Sequence, residues 1–195
     1  MVVTLRAVLG GLLIGALAAG CGVRPATAPG REAPPIVAMD ASGAAVDLRA
    51  AATHATATVI TFFSAHCPCQ RVHDDRLRAM FADFAPRGVA FYAIDAEHGA
   101  SADRAAREAT ARRYSYPLLF DASGVTADAV GASYATFTVV LDNEGRVRYA
   151  GGIDSDRSHL TEHPRTFLRD ALDDLTLGRE VRVPEAKVLG CALER

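Results

Sequence analysis

Between residues 36 and 177 the apolar positions switch repeatedly between a two-residue and a three-to-four-residue spacing, the pattern of strands alternating with helices. Ile36–Met39 and Ala44–Leu48, separated by Asp40-Ala41-Ser42-Gly43, predict a small hairpin. Ala57-Thr58-Val59-Ile60-Thr61-Phe62-Phe63 is β-branched and aromatic without a polar face, which predicts a central strand buried on both sides. Beyond it Val72, Leu77, Met80 or Phe81, and Phe84 recur at helical spacing with charges between them. That stripe predicts an amphipathic helix over 68–84, stopped by Pro86-Arg87-Gly88. Val89–Ile94 predicts a second strand, Ser101–Tyr114 an Ala/Arg-rich helix, Pro117–Phe120 a short strand and Thr126–Val130 one helical turn. Phe137–Leu141 and Arg146–Ala150 predict a hairpin about Asp142-Asn143-Glu144-Gly145, with Gly145 supplying a positive φ, and Pro164–Leu177 the last helix. This order gives an α/β fold, a central mixed sheet with helices on both faces.

Two N-terminal segments fall outside that alternation. Arg6 is followed by an unbroken apolar run, Ala7–Ala19, too short to anchor stably across a bilayer, and then Gly20-Cys21, which predicts a signal peptide over 1–20. Leu17-Ala18-Ala19-Gly20-Cys21 resembles a bacterial lipobox, with the leucine one place early; the resemblance implies that Cys21 becomes the acylated mature N-terminus. The alternative is an ordinary secreted chain cut near Ala19 with Cys21 left as a thiol. Several acyl chains on one residue suffice for stable anchoring. Gly22 is not the Asp of an inner-membrane retention signal, so the expected location is the bacterial cell envelope, at the outer membrane facing the periplasm. Residues 21–35 carry Pro25, Pro29, Pro34 and Pro35 among Ala, Thr and Gly, and predict a linker holding the domain over 36–195 off the membrane.

Charge excludes one class of partner. The 195 residues hold 21 basic and 23 acidic side chains, and Lys187 is the sole lysine; nucleic-acid binding needs clustered Lys/Arg. Loss of Arg6 with the leader takes the mature chain to 20 basic against 23 acidic, a formal charge of −3. A chain of this size buries roughly 70% of the surface it exposes when unfolded. It needs no staple, so its cysteines are available for chemistry.

The informative motif is His66-Cys67-Pro68-Cys69-Gln70, where the central strand passes into the amphipathic helix. A thiol at a helix N-terminus feels the positive end of the helix dipole and unpaired N–H groups, which favour thiolate. Pro68 suits the first helical position, making Cys67 the cap. The bland alternative is two small core residues.

Phe62-Phe63-Ser64-Ala65-His66-Cys67-Pro68, Arg87-Gly88-Val89-Ala90-Phe91, Tyr116-Pro117-Leu118-Leu119-Phe120-Asp121 and Val139 through Gly151 together resemble the thioredoxin-like redoxin (AhpC/TSA-type) superfamily over 36–191. Val183-Pro184 through Leu189-Gly190-Cys191 resembles a branch ending in Gly-Cys after an Ala-Leu-Asp-rich helix. The resemblance implies a thioredoxin-like fold and thiol–disulfide oxidoreductase activity, with a weak thiol-dependent peroxidase as a variant. Three departures bear on the chemistry. The second cysteine stands two places after the first, with Gln70 at the third; residues i and i+2 of a helix point about 200° apart, so a Cys67–Cys69 disulfide requires Cys67 outside the helix and is strained. Thr136 occupies the place of the redoxin cis-proline, which predicts a trans bond and an altered groove. Ile60 and Ser64 replace the proline and threonine that precede a peroxidatic cysteine, which weakens a peroxidase reading.

Cys67, Cys69 and Cys191 are thus the candidate catalytic residues: Cys67 the nucleophile, Cys191 or Cys69 its resolving partner. Expected partners are protein dithiols or disulfides, or a thioredoxin-like electron donor, and no cofactor is required. The alternatives are a non-catalytic module in which a Cys67–Cys191 disulfide pins the tail, and a copper or zinc protein using His66, Cys67, Cys69 and His73, reminiscent of the thioredoxin-like Sco copper proteins. His73 is equally well an exposed helix residue; His54, His98, His159 and His163 are loop residues. Asp95 or Glu97 is expected to cap the helix beginning at Ser101 or to accept a proton near the thiols. Asp121 and Asp142 are expected to form turns, and Arg71 or Arg76 to steady a thiolate.

Overall fold

The computed structural model describes residues 25–195, so the leader over 1–20 and the acylation of Cys21 lie outside the described residues. Seven strands form one sheet: β1 (Val37–Met39), β2 (Ala45–Asp47), β3 (Ala57–Phe63), β4 (Val89–Asp95), β5 (Leu118–Phe120), β6 (Thr138–Asp142) and β7 (Val147–Gly151). Their spatial order is β2-β1-β5-β4-β3-β6-β7. β3 runs parallel to β4, and β4 to β5, while β6 lies antiparallel to β3 and to β7. The sheet is mixed, as expected.

Burial on both faces explains the unbroken apolar run of β3. Ile60 and Phe62 face one core, with Leu48 and Ala52 of α1 (Leu48–Ala52) and Ala127 and Val130 of α4 (Val125–Val130). Val59 and Phe63 face the other, with Leu77, Met80 and Phe84 of α2 (Pro68–Phe84), Ala105 of α3 (Ala102–Ala111) and Leu168 and Leu172 of α5 (Phe167–Thr176). Each such large apolar side chain contributes about 1.5–3 kcal/mol by leaving water. α2 ends at Phe84 and passes into a 3-10 turn, Ala85–Arg87, which Gly88 closes at φ 83 under Thr56, whose hydroxyl leaves no room for a Cβ.

Two expectations need correction. The stretch 25–35 is no free linker: Gly30 N donates to Val147 O at 2.7 Å, Ala33 N to Gly145 O at 2.9 Å and the Thr27 hydroxyl to Val130 O at 3.0 Å. The stretch runs through two turns, ties to the end of α4 at Val130 and pairs with the start of β7 through an antiparallel bridge between Glu32 and Arg146, so the folded domain begins by residue 25 instead of 36. Ala28 and Ala33, small enough to lie flat on the sheet edge, are buried there. The helix expected over 101–114 ends at Ala111, because Arg113 takes φ 55 and Tyr114 N bonds back to Ala109 O. This is a Schellman closure built without the usual glycine, so no sequence signal marked it.

Candidate active site

β3 delivers the chain to the edge of the sheet where Ser64-Ala65-His66 turns it into α2. Cys67 is the N-cap: its backbone is extended (φ −76, ψ 115) and its Sγ accepts from Gln70 N at 3.4 Å. Pro68 stands at N1, where its missing N–H leaves no bond unmade. Cys67 therefore sits outside the helical register, and its sulfur can approach Cys69, buried in the first turn. The positive end of a 17-residue helix faces the Cys67 sulfur, the arrangement that holds anions at helix N-termini.

Cys191 reaches the same point from the other end of the chain. Ala135 N donates to Cys191 O at 2.8 Å, Leu193 N donates to Ser133 O at 3.0 Å, and Tyr134 and Ala192 form an antiparallel bridge. His98 N donates to Glu194 O at 2.7 Å and completes the track. The result places Cys191 Sγ 2.7 Å from Cys67 Sγ, with Cys191 N also directed at Cys67 Sγ at 3.4 Å. A disulfide measures about 2.05 Å, so a shift of less than about 1 Å bonds the pair. Gly190 permits the approach: a Cβ there would lie 1.7 Å from Ala135 O.

Burial above all, then the hydrogen bond and charge of Cys67, pushes the Cys191 thiol up to about 12. Cys191 accordingly keeps its proton at neutral pH, and its sulfur faces Cys67 as a thiol. Thr136, at the place of the missing proline, has φ 67, a region β-branched residues rarely enter. Its preceding bond is trans, since the described residues contain no cis peptide. Its N–H donates to Phe62 O at 2.8 Å and fastens the loop that carries the tail onto β3.

The structure divides the metal set expected from sequence. Cys67, Cys69 and Cys191 have sulfurs within 4.8 Å of one another, whereas His66 is exposed. His73 is buried, not exposed, and its ring is engaged at both nitrogens: Nδ1 to Cys69 O at 2.7 Å and Nε2 to Asp154 Oδ1 at 3.0 Å. Both partners are acceptors, an arrangement that favours the doubly protonated ring. Burial opposes that charge, but the Asp154 and Cys69 hydrogen bonds and the Asp154 charge outweigh it and raise His73 above its ordinary value. Asp154 is held below the usual carboxylate range in spite of burial, by His73, the Asp156 N–H and Arg76.

Other expectations shift with this geometry. Arg76 pairs with Asp154 at 2.5 Å and Asp156 at 2.8 Å, away from the sulfurs, and Arg71 is exposed. Asp95 caps nothing: it is buried at the end of β4 and takes two bonds from the Arg104 guanidinium, at 2.5 and 2.6 Å, while Ser101 itself caps α3. Glu97 is buried beside the tail and accepts from Glu194 N at 3.5 Å. Asp121 and Asp142 organise turns as expected, accepting from Ser123 N and Glu144 N. His54, His98, His159 and His163 are exposed outside regular elements.

Sequence reasoning missed the network beneath the Cys67 turn. Arg112 donates to Asp74 at 2.7 Å and to Ala65 O at 2.9 Å, with its guanidinium 4.7 Å above the Phe63 ring. Gln70 Nε2 donates to Asp74 at 3.1 Å, and the Tyr114 hydroxyl donates to the same carboxylate. Burial pushes Tyr114 well above its ordinary value, so it remains a donor. Its one legible trace is spacing: Asp74, four after Gln70 and three before Leu77, lies on the buried stripe of α2.

Comparison with known proteins agrees with the architecture. The AhpC/TSA family model matches residues 29–150. No curated protein matches the chain. An uncharacterized conserved protein from Geobacillus kaustophilus is 28% identical, with a TM-score of 0.78 over 87% of this chain and 93% of its own. A hypothetical protein from Sinorhizobium meliloti is also 28% identical, with a TM-score of 0.77 over 86% and 94%. The thioredoxin domain of a thiol-disulfide oxidoreductase from Bacteroides vulgatus shares the fold alone, at 17% identity and a TM-score of 0.53 over 62% and 85%. With a model covering most of the sheet and both strands of the closing hairpin, the chain belongs to the AhpC/TSA family and has the thioredoxin-like fold.

Proposed function

We propose that the protein is a thiol–disulfide oxidoreductase of the bacterial cell envelope in which Cys67 attacks and Cys191 resolves. The observation that carries this reading is the pair of free sulfurs 2.7 Å apart at the N-terminus of α2. Cys67, as thiolate, attacks one sulfur of a partner disulfide; that S–S bond breaks and the departing sulfur takes a proton. Cys191 holds its proton while Cys67 is charged. Formation of the mixed disulfide removes that charge, and Cys191 then loses its proton and attacks Cys67. The Cys67–Cys191 bond forms, the mixed disulfide breaks, and the partner leaves as a dithiol. Reversed, the same steps oxidise a partner dithiol. A hydroperoxide is the alternative oxidant, consumed in thiol-dependent fashion at Cys67. Acylation of Cys21 would tether the domain to the membrane.

Equilibration with glutathione buffers and mass mapping of cysteine pairs tests this. The expected result is a reversible Cys67–Cys191 disulfide with a potential between about −270 and −120 mV. A value below about −300 mV would identify a structural bond that pins the tail and sink the catalytic role. Mass analysis of the N-terminal peptide from membranes tests the anchor: unmodified Cys21 in the mature protein overturns it.

A further inference from the structure

Two-cysteine exchange leaves one thiol over. Cys69 is 3% exposed, and its sulfur stands within 4.8 Å of both Cys67 and Cys191. Three sulfurs on two separate chain segments, a helix N-terminus and a tail held by backbone pairing, converge on one point. We propose that Cys67, Cys69 and Cys191 form an all-sulfur trigonal site that binds one Cu(I) ion.

The donor set decides the metal. Thiolates are soft ligands that select soft cations. Zn(II) in a closed site takes four ligands, and iron–sulfur clusters take four cysteines. Here there are three sulfurs, and neither neighbouring histidine supplies a fourth ligand: His66 is exposed, and both nitrogens of His73 are bound to Cys69 O and Asp154. Three-coordination by sulfur suits Cu(I), which has no need of a fourth donor. With a metal–sulfur bond of about 2.3 Å, as for zinc, a trigonal site sets its sulfurs about 4 Å apart. The Cys67–Cys191 pair must therefore open from 2.7 Å by roughly 1 Å. Cys191, half-buried on the tail, can swing through that distance by side-chain rotation, whereas Cys67 and Cys69 are fixed by the helix. Each sulfur that coordinates gives its proton to solvent, and no electron is transferred. The Gln70 and Cys191 N–H groups on Cys67 Sγ and the helix dipole compensate the anionic product.

The site requires all three sulfurs reduced but does not require that they exchange disulfides, so a failed exchange assay leaves it standing. Anaerobic titration of the reduced full-length protein with the Cu(I)–bicinchoninate complex tests it. The expected result is transfer of one Cu(I) per chain, a near-ultraviolet sulfur-to-copper absorption band and an X-ray absorption spectrum with three sulfur scatterers. Cys69→Ser and, separately, Cys191→Ser should each leave the copper with bicinchoninate; two variants guard against one that fails to fold. The proposal is overturned if the wild-type protein takes no copper, if Cys69→Ser competes as well as wild type, or if the spectrum requires nitrogen ligands.

Discussion

Gly190 has the narrowest tolerance of any residue in the site. Its backbone passes so close to Ala135 O that a methyl group would sit 1.7 Å away, and only displacement of the tail relieves that contact. Gly190→Ala is therefore expected to lower the yield of Cys67–Cys191 disulfide and to speed alkylation of Cys67, read by mass spectrometry after timed iodoacetamide quenches. Unchanged alkylation would show that the tail does not shield Cys67. His73 and Asp154 make a second residue-scale case. His73 is raised, so its contribution to stability is complete below about pH 6.5 and is lost as pH rises through its folded value. Asp154 is lowered, so its contribution is present above about pH 3.9 and is lost as pH falls through its folded value. Between those limits both are charged. Denaturant unfolding at pH 6 should show Asp154→Ala losing about 3–5 kcal/mol, since it leaves a buried cation unpaired. His73→Gln should flatten the decline in stability above pH 6.5; an unaltered slope would mean that His73 is not the titrating cation. Neither interaction was legible in sequence, because Asp154 lies 81 residues from its histidine and only the fold brings them to 3.0 Å.

Among the elements, α2 and the tail have different origins. α2 is local: its apolar stripe, Pro68 at N1 and Gly88 after its end were all visible in the sequence, and they place Cys67 at the cap without reference to the rest of the chain. The tail has no periodicity and takes its position from long-range backbone bonds to Ser133, Ala135 and His98. Its rigidity is thus expected to be lower than that of α2, since only a few backbone bonds tie it down. Truncation before Gly190 is expected to expose Cys67, now 2% accessible, and to accelerate its alkylation while leaving the helical circular dichroism intact. Loss of that helical signal would mean that the tail supports the core and does not merely cover the site. The 25–35 segment teaches the same point. Its prolines and small residues fit a linker, yet they also fit turns packed against a sheet edge, and only the free carbonyl and N–H groups of the Val147 region decided between the two.

For the whole molecule, the tail pairing makes the redox state a stability switch. A Cys67–Cys191 bond would join residues 124 apart in sequence. In the chain-entropy model a loop of that length is worth roughly 5 kcal/mol. Oxidation should then raise the thermal midpoint by roughly 10–20 °C for a chain of this size. Calorimetry of the fully reduced and fully oxidised forms checks this; equal midpoints would show that the disulfide strains the folded state by as much as it constrains the unfolded one. The order of α and β elements, the doubly buried β3 and the junction at which Cys67 caps α2 were legible in the sequence, because period, capping and turn chemistry are local matters that residues a few places apart decide among themselves. The expectation that Cys191 belongs to the same site came instead from the resemblance of the Gly190-Cys191 tail. The tertiary structure alone decided that Cys191 stands against Cys67 within bonding reach, that Cys69 joins them as a third sulfur, and that His73 is tied to Asp154 and withheld from them. Those pairings span many tens of residues, and no spacing in a sequence encodes a distance that only the closing of the sheet creates.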